Sequence, residues 1–154
     1  MKVYRISKCK YIDDLSGAGA AMFPGRWHSK GTYILYTAST PSLALLESVV
    51  HISNIIIADY CMICLEIPGG KILEIEIKDL PTDWYENPPP DKLKFYGDTF
   101  IAENKFLALK LPSAIMPEES NFLLNPHHKD FKLVKKIYTR NIPIDKRLLK
   151  KANK

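Results

Sequence analysis

The run from Leu43 to Ile52 is apolar nearly all round at helical spacing, and it holds one carboxylate, Glu47, on the face shared with Leu43, Ala44, Val50 and His51. The helix start is marked by Thr40 as a cap and Pro41 at the first helical position. A carboxylate on such a helix is costly to bury unless it is paired or hydrogen-bonded, and carboxylates in such settings are found at active sites more often than elsewhere. The structural alternative is a glutamate paired with a buried arginine, for which Arg5 and Arg26 stand near predicted strand or loop starts.

Around this helix the chain reads as short strands. Val3–Ile6 is a first strand, and Asp13–Gly31 is a long loop holding four of the seven glycines together with Phe23, Arg26 and Trp27. Tyr33–Thr37 is a strand leading into the helix. Tyr60–Ile67 and Ile72–Ile77 read as two strands joined by a turn at Pro68-Gly69-Gly70, and the residues of Lys92–Asn104, after the proline-rich turn Asn87–Pro90, are helical in character. Phe106–Leu111 alternates as a strand, Pro112 and Pro117 bracket another short one, and Asn121–Asn125 and Phe131–Tyr138 are late strand candidates. Asp145–Lys151 closes the chain as a short basic helix. Without a regular strand–helix–strand rhythm, a repeat or a linker, this predicts one α+β domain over residues 1–154, with a mainly antiparallel or mixed sheet and flanking helices.

Several functions are argued against. No segment approaches the roughly 20 apolar residues of a membrane span, and residues 1–10 have neither the apolar block nor the cleavage site of a signal peptide, so a cytoplasmic location is expected. The three cysteines, Cys9, Cys61 and Cys64, argue against a disulfide framework by their odd count, and Cys61 and Cys64 lack the second pair and the turn of a metal knuckle. Ser113 has no nucleophile-elbow context, His127 and His128 have no further zinc ligands at suitable spacing, and no glycine-rich phosphate loop is present, so neither metal nor bound cofactor is expected. Lys129–Lys154 carries ten Lys or Arg against Asp130 and Asp145, while the rest of the chain is mildly acidic. This tail reads first as a solvated end and second as a holder of an acidic or phosphate-rich partner.

Arg26 lies in Pro24-Gly25-Arg26-Trp27, where glycine lets a ligand approach the backbone and a guanidinium beside an indole suits a flat or phosphorylated ligand. Its plain alternative is an arginine stacked on Trp27. Tyr36 precedes the Glu47 helix directly, and a loop, a strand and a helix that start together commonly build one pocket.

The ordered motifs resemble the RES family, the toxin half of RES-Xre toxin–antitoxin pairs. They are Val3-Tyr4-Arg5-Ile6, Leu15–Ala20, Gly25-Arg26-Trp27, Tyr36-Thr37-Ala38-Ser39, Leu43–Glu47, Tyr96-Gly97-Asp98, Leu107–Lys110, Pro112-Ser113-Ala114 and Asn121–Pro126, with His128 matching the family's histidine. His28, Pro24 and Phe100 depart from the family's usual asparagine, glycine and tryptophan. The resemblance implies a compact relative of the ADP-ribosyltransferase fold that cleaves the nicotinamide–ribosyl bond of NAD by hydrolysis or phosphorolysis, or transfers ADP-ribose to a protein. It implies NAD as substrate rather than cofactor, Glu47, Arg26 and Tyr36 as catalytic residues, and Arg5, Arg26, Trp27, Tyr36, Ser39, Ser113 and Asn125 as residues around the NAD. It also implies an Xre-type antitoxin over the cleft, pairing of the chain with itself, no membrane, and nucleic acid reached only through the antitoxin.

Two other classes compete. An RNA-directed protein would use the basic tail, but the stacking aromatics that such a surface needs are limited there to Phe131 and Tyr138. A catalytically silent binding module would leave Glu47 without a purpose.

Overall fold

A computed structural model describes residues 1–51 and 59–149. In chain order the elements are β1 (Lys2–Lys8), α1 (Ala18–Met22), β2 (Leu35–Ala38), α2 (Pro41–His51), β3 (Tyr60–Glu66), β4 (Ile72–Glu74), α3 (Lys94–Glu103), β5 (Ala108–Pro112), β6 (Ser120–Leu124) and β7 (Lys135–Ile142). The strands form one sheet in the order β4-β5-β6-β2-β1-β3-β7, antiparallel throughout except where β4 lies parallel to β5. The α+β class and the mixed sheet match the expectation from sequence.

Period-two alternation divides the sheet into two faces. Val3, Leu35, Ile63, Leu65, Ala108, Phe122 and Leu124 pack together on one side with Ile12 and Ile67. On the other, Leu109, Leu111 and Leu123 meet Trp27, Trp84, Leu93 and Phe100, while Ala38, Leu43 and Ala44 pack with Tyr4 and Ile6 under α2. The register pairs Tyr4 with Ala38 and Ala38 with Asn121. Tyr36, Ala38, Asn121 and Tyr4 therefore share the face that α2 covers, and Arg5 points to the opposite face.

Helix α3 seats against the loop before β2 through Gly97, whose amide donates to the Trp27 carbonyl at 3.0 Å. A side chain there would drive its Cβ into that carbonyl oxygen. Asp98, the next residue, accepts from the Ser29 amide and from the Ser29 and Thr32 hydroxyls at 2.6 to 2.9 Å. Burial raises its pKa, but these donors outweigh it and hold the carboxyl below the usual range. The long loop expected over Asp13–Gly31 is thus an ordered element with α1 inside it, pinned to α3 at two consecutive residues.

Several expectations are corrected. The strands after and before Pro68-Gly69-Gly70 do not pair: β3 lies beside β1 and β7, while β4 joins β5 near the far edge. Alternation identifies a strand but does not name its neighbour. Between Pro112 and Pro117 there is a turn closed by the Ser113 amide on the Glu119 carbonyl, because Ser113 draws the backbone amides of residues 115 and 116 onto its own hydroxyl. Phe131–Tyr138 is split: a 3-10 turn over Lys129–Leu133 precedes β7, with His128 accepting the Asp130 amide as its cap. The closing helix is a 3-10 turn at Lys146–Leu149; its expected continuation to Lys151 and Ile52 of the α2 run lie outside the described residues.

The cysteine expectation also fails, because Cys9 and Cys61 form a disulfide across 52 residues of sequence. β1 and β3 run antiparallel with Ser7 opposite Cys61, and the Cys9 amide donates to the Asp59 carbonyl, which brings the two Cα atoms to 4.8 Å. An odd count in sequence cannot foresee a pair made by sheet register. Cys64 remains a buried free thiol.

Gly97→Ala should destabilise the domain by about 1–3 kcal/mol, the usual cost of forcing extra carbon into a packed contact. At roughly 2–4 °C per kcal/mol for a chain of this size, calorimetry should show a melting temperature lower by several degrees; an unchanged value would mean that α3 does not dock through this contact.

Candidate active site

Glu47 comes from the middle of α2, whose first turn is fixed by Thr40: its hydroxyl accepts the Leu43 amide at 3.1 Å and donates to Glu119. The carboxylate is half-buried and reaches the ends of β5 and β6. Its Oε1 accepts from the Ser113 hydroxyl at 2.8 Å and from the Asn121 side-chain amide at 2.6 Å. The Ser113 oxygen already accepts the amides of Ile115 and Met116, which directs its own proton to the carboxylate. No donor reaches Oε2 among the described residues, and this oxygen is not a buried orphan. One oxygen is therefore anchored and the other is free. The arginine partner considered from sequence does not occur; two neutral donors leave the negative charge uncancelled.

Arg26 and Tyr36 lie within electrostatic reach of that charge: Glu47 acts on both groups, and they act on each other. Burial lowers the pKa of Arg26, with Glu47 and Tyr36 opposing the shift. The Arg26 Nη1 group donates to the carbonyls of Trp84 at 2.7 Å and Glu86 at 2.9 Å. Those bonds fix the guanidinium plane, and its Nη2 and Nε protons have no acceptor among the described residues. That half of the fork is the one suited to a bidentate anion.

Tyr36 is held by a histidine that the sequence marked only as a departure. His28 is buried, its Nε2 lying 2.8 Å from the Ala20 carbonyl and 3.0 Å from that of Phe23. Carbonyls only accept, so the partners assign the ring proton to Nε2. In the neutral ring, Nδ1 then accepts the Tyr36 hydroxyl proton across 2.7 Å. Gly25 makes room for this pair, since a Cβ there would lie 2.6 Å from the imidazole. Burial pushes the Tyr36 phenol well above its ordinary value, the charges of Asp98 and Glu47 add to the shift, and the Trp27 amide and Arg26 oppose it.

The remaining expected site residues fall into two groups. Ser113 belongs to the centre as the partner of Glu47. Ser39 follows the end of β2; its amide donates to the Ser120 carbonyl, and its hydroxyl accepts the Ser120 amide next to Asn121 while its own proton finds no acceptor among the described residues. Arg5, Trp27 and Asn125 are not brought to the centre, and their expected contacts with a ligand are revised. Arg5 spends Nη1 on the Tyr11 and Ile12 carbonyls on the other face of the sheet. The Trp27 indole is 2% exposed and stacked on Trp84 with ring centroids 6.5 Å apart, so it has no face for a ligand and no stacked Arg26. Asn125 is fully buried, bonded to Asn104 and to the His127 amide, and forms a turn. Asn121 stands in the sequence only as the first residue of the Asn121–Pro126 motif, with nothing to name Glu47 as its partner. A lone amide at the head of an apolar strand was the available signal for it, whereas the Trp84 and Glu86 carbonyls leave no trace in residue type.

Comparison with known proteins agrees with this arrangement of elements. The model of the RES domain matches residues 2–146. "Toxin Res" of Photorhabdus laumondii subsp. laumondii is 35% identical over 153 residues, covering 97% of this chain and 98% of the relative. "Prs ADP-ribosylating toxin" of a Sphingobium species is 36% identical over 144 residues, covering 91% and 89% respectively. Among solved structures, the M. tuberculosis MbcT–MbcA toxin–antitoxin complex contains a chain that superposes with a TM-score of 0.77 at 15% identity, covering 92% of this chain and 83% of that one. This last likeness concerns the fold alone.

Two outcomes follow from the geometry. Asn121→Ala strips a half-buried carboxylate of one donor, and hydrogen bonds to charged groups are worth about 1.5–3 kcal/mol, so thermal unfolding should begin several degrees earlier. For Tyr36, the folded pKa is raised, so its stabilisation is complete below the unfolded value near 10 and is lost as pH climbs above it. Above pH 10 the wild type should therefore lose up to about 1.4 kcal/mol more per pH unit than Tyr36→Phe; parallel stability curves for the two proteins in denaturant titrations at alkaline pH would contradict the enclosed phenol.

Proposed function

The chain belongs to the RES domain family, and on that premise we propose that it is a toxin that consumes NAD by cleaving the bond between nicotinamide and ribose. The observation that carries this reading is the Glu47 carboxylate, anchored at Oε1 by Ser113 and Asn121, without a donor at Oε2 among the described residues, and within electrostatic reach of the Arg26 guanidinium and the Tyr36 phenol. As the nicotinamide departs, positive charge develops on the ribose, and a fixed carboxylate stabilises that transition state more than the ground state. Two neutral donors orient Glu47 without neutralising it. Arg26, its plane fixed by the Trp84 and Glu86 carbonyls, is directed at the pyrophosphate. Tyr36, locked by His28, packs its ring against the nicotinamide side. Ser39 completes the cleft from the end of β2.

The acceptor of the ADP-ribosyl group is water or phosphate in this reading. Transfer to a protein is the second reading, favoured by the name of the Sphingobium relative. We also propose an antitoxin partner, in keeping with the MbcT–MbcA toxin–antitoxin complex, seated over the cleft as the family resemblance implies, and a cytoplasmic location. Among the described residues no helix is long and apolar enough to cross a membrane. The Cys9–Cys61 bond pulls the other way, since reducing compartments keep most such pairs as thiols.

Purified protein incubated with NAD, with and without phosphate, should release free nicotinamide, and Glu47→Gln should slow that release by roughly a hundredfold or more, the usual weight of a fixed electrostatic group. Chromatography of the products separates ADP-ribose, its phosphorolysis product and modified protein. Undiminished nicotinamide release by Glu47→Gln would remove Glu47 from the chemistry.

A further inference from the structure

The two edges of the sheet are finished differently. At one, β4 has only three residues, and the Ile75 amide beyond it turns inward to the Lys110 carbonyl. At the other, β7 has eight residues, exposed from Lys135 to Asn141, and its outer backbone groups make no hydrogen bond to other backbone among the described residues. A long unpaired edge is a template for another strand, because only a polypeptide both donates to and accepts from the whole row.

Side chains determine which strand it can take. Lys135 stands opposite Glu66 and Arg140 opposite Met62, with a register shift at Cys64/Leu65 between them. Their β3 partners are four positions apart, so the shift brings both cations to one face, about 13 Å from each other, with Tyr138 between them and 39% exposed. Lys136 is paired with Asp13, whereas Lys135 and Arg140 have no carboxylate partner among the described residues. A second copy is a poor occupant, because β7 carries Lys135, Lys136 and Arg140 and no carboxylate, so pairing it with itself gathers six cations along one ladder with no anion on either strand to meet them. A phosphate backbone would meet the cations but leave the row of amides and carbonyls unpaired.

We propose that the outer edge of β7 binds an extended acidic segment of a partner protein as an eighth strand, with carboxylates spaced four residues apart lying over Lys135 and Arg140. In the sheet order β7 is four strands from β6, or about 19 Å, so this surface is separate from the Glu47 centre and does not depend on the reading of that centre.

The probe is an eight-residue peptide alternating Glu with Val or Thr, titrated into the isotope-labelled full chain and followed by amide chemical shifts. Shifts concentrated between Lys135 and Ile142 are expected. Methylating alternate peptide nitrogens should abolish them on the edge that faces β7, and Lys135→Glu/Arg140→Glu should weaken binding about tenfold, from two cross-strand charge pairs removed and reversed. The doubly substituted protein should stay folded and melt only slightly below the wild type, since both side chains are exposed but Lys135→Glu sets a like charge opposite Glu66. No shift at β7 up to about 1 mM peptide, equal binding of both N-methylated forms, or tighter binding of a single-stranded oligonucleotide at the same amides would each overturn the proposal.

Discussion

The bond between the Asn121 amide and Glu47 joins the parts of this molecule that have to agree. Helix α2 crosses the sheet over β1 and β2, yet the carboxylate it carries is held from β6 and from the turn after β5. The distance is spanned because Ala38 lies between Tyr4 and Asn121 in the register, which places a small residue under the helix where it must approach closely. A slip of one residue between β2 and β6 would turn Asn121 to the opposite face and leave a half-buried carboxylate with one donor fewer. The apolar helix and the polar centre are thus consequences of one register.

A second set of polar contacts fixes the loop that faces this centre. His28 ties α1 and Phe23 to Tyr36 through a single imidazole, while Asp98 ties Ser29 and Thr32 to α3. Trp27 lies between these anchors and supplies the apolar contact with Trp84. Arg26 precedes it in sequence and inherits its position, with the Trp84 carbonyl supplying one of its two acceptors. Order in this loop comes from side-chain acceptors and donors, which compensate for the small share of regular backbone pairing within it.

Much of this was legible in the residues. The Thr40–Pro41 helix start, the strands near Val3, Tyr36, Leu109 and Phe122, and the special standing of Glu47 all follow from capping, alternation and the cost of a lone carboxylate. What could not be read depends on pairings distant in sequence. Alternation at Ile72 gives no sign that its partner is Ala108, and Cys9 gives no sign of Cys61. The resemblance puts Arg5 near the ligand, but period-two geometry sends it away as soon as Tyr4 is known to face Ala38. Trp27 and Asn125 carried ligand-like chemistry in sequence and spend it inside the fold. His28, by contrast, looked like an irregular letter in a motif and holds the phenol.

The disposition of protons at the centre bears on which reactions it suits. The Ser113 proton is spent on Glu47, the Tyr36 proton on His28, and the His28 proton on two carbonyls. A general acid must have a proton to give at the leaving atom, and each of these donors is already turned toward a protein acceptor. Apart from the Ser39 hydroxyl, an alcohol too weakly acidic to serve as a general acid, the available groups are a carboxylate oxygen without a donor and part of a guanidinium that stays charged. Such a set can stabilise a cation that forms and grip an anion that is already there, but it offers little to a leaving group that needs protonation. Nicotinamide leaves NAD as a neutral molecule and needs none, whereas an ordinary glycoside requires the acid that this centre has committed elsewhere.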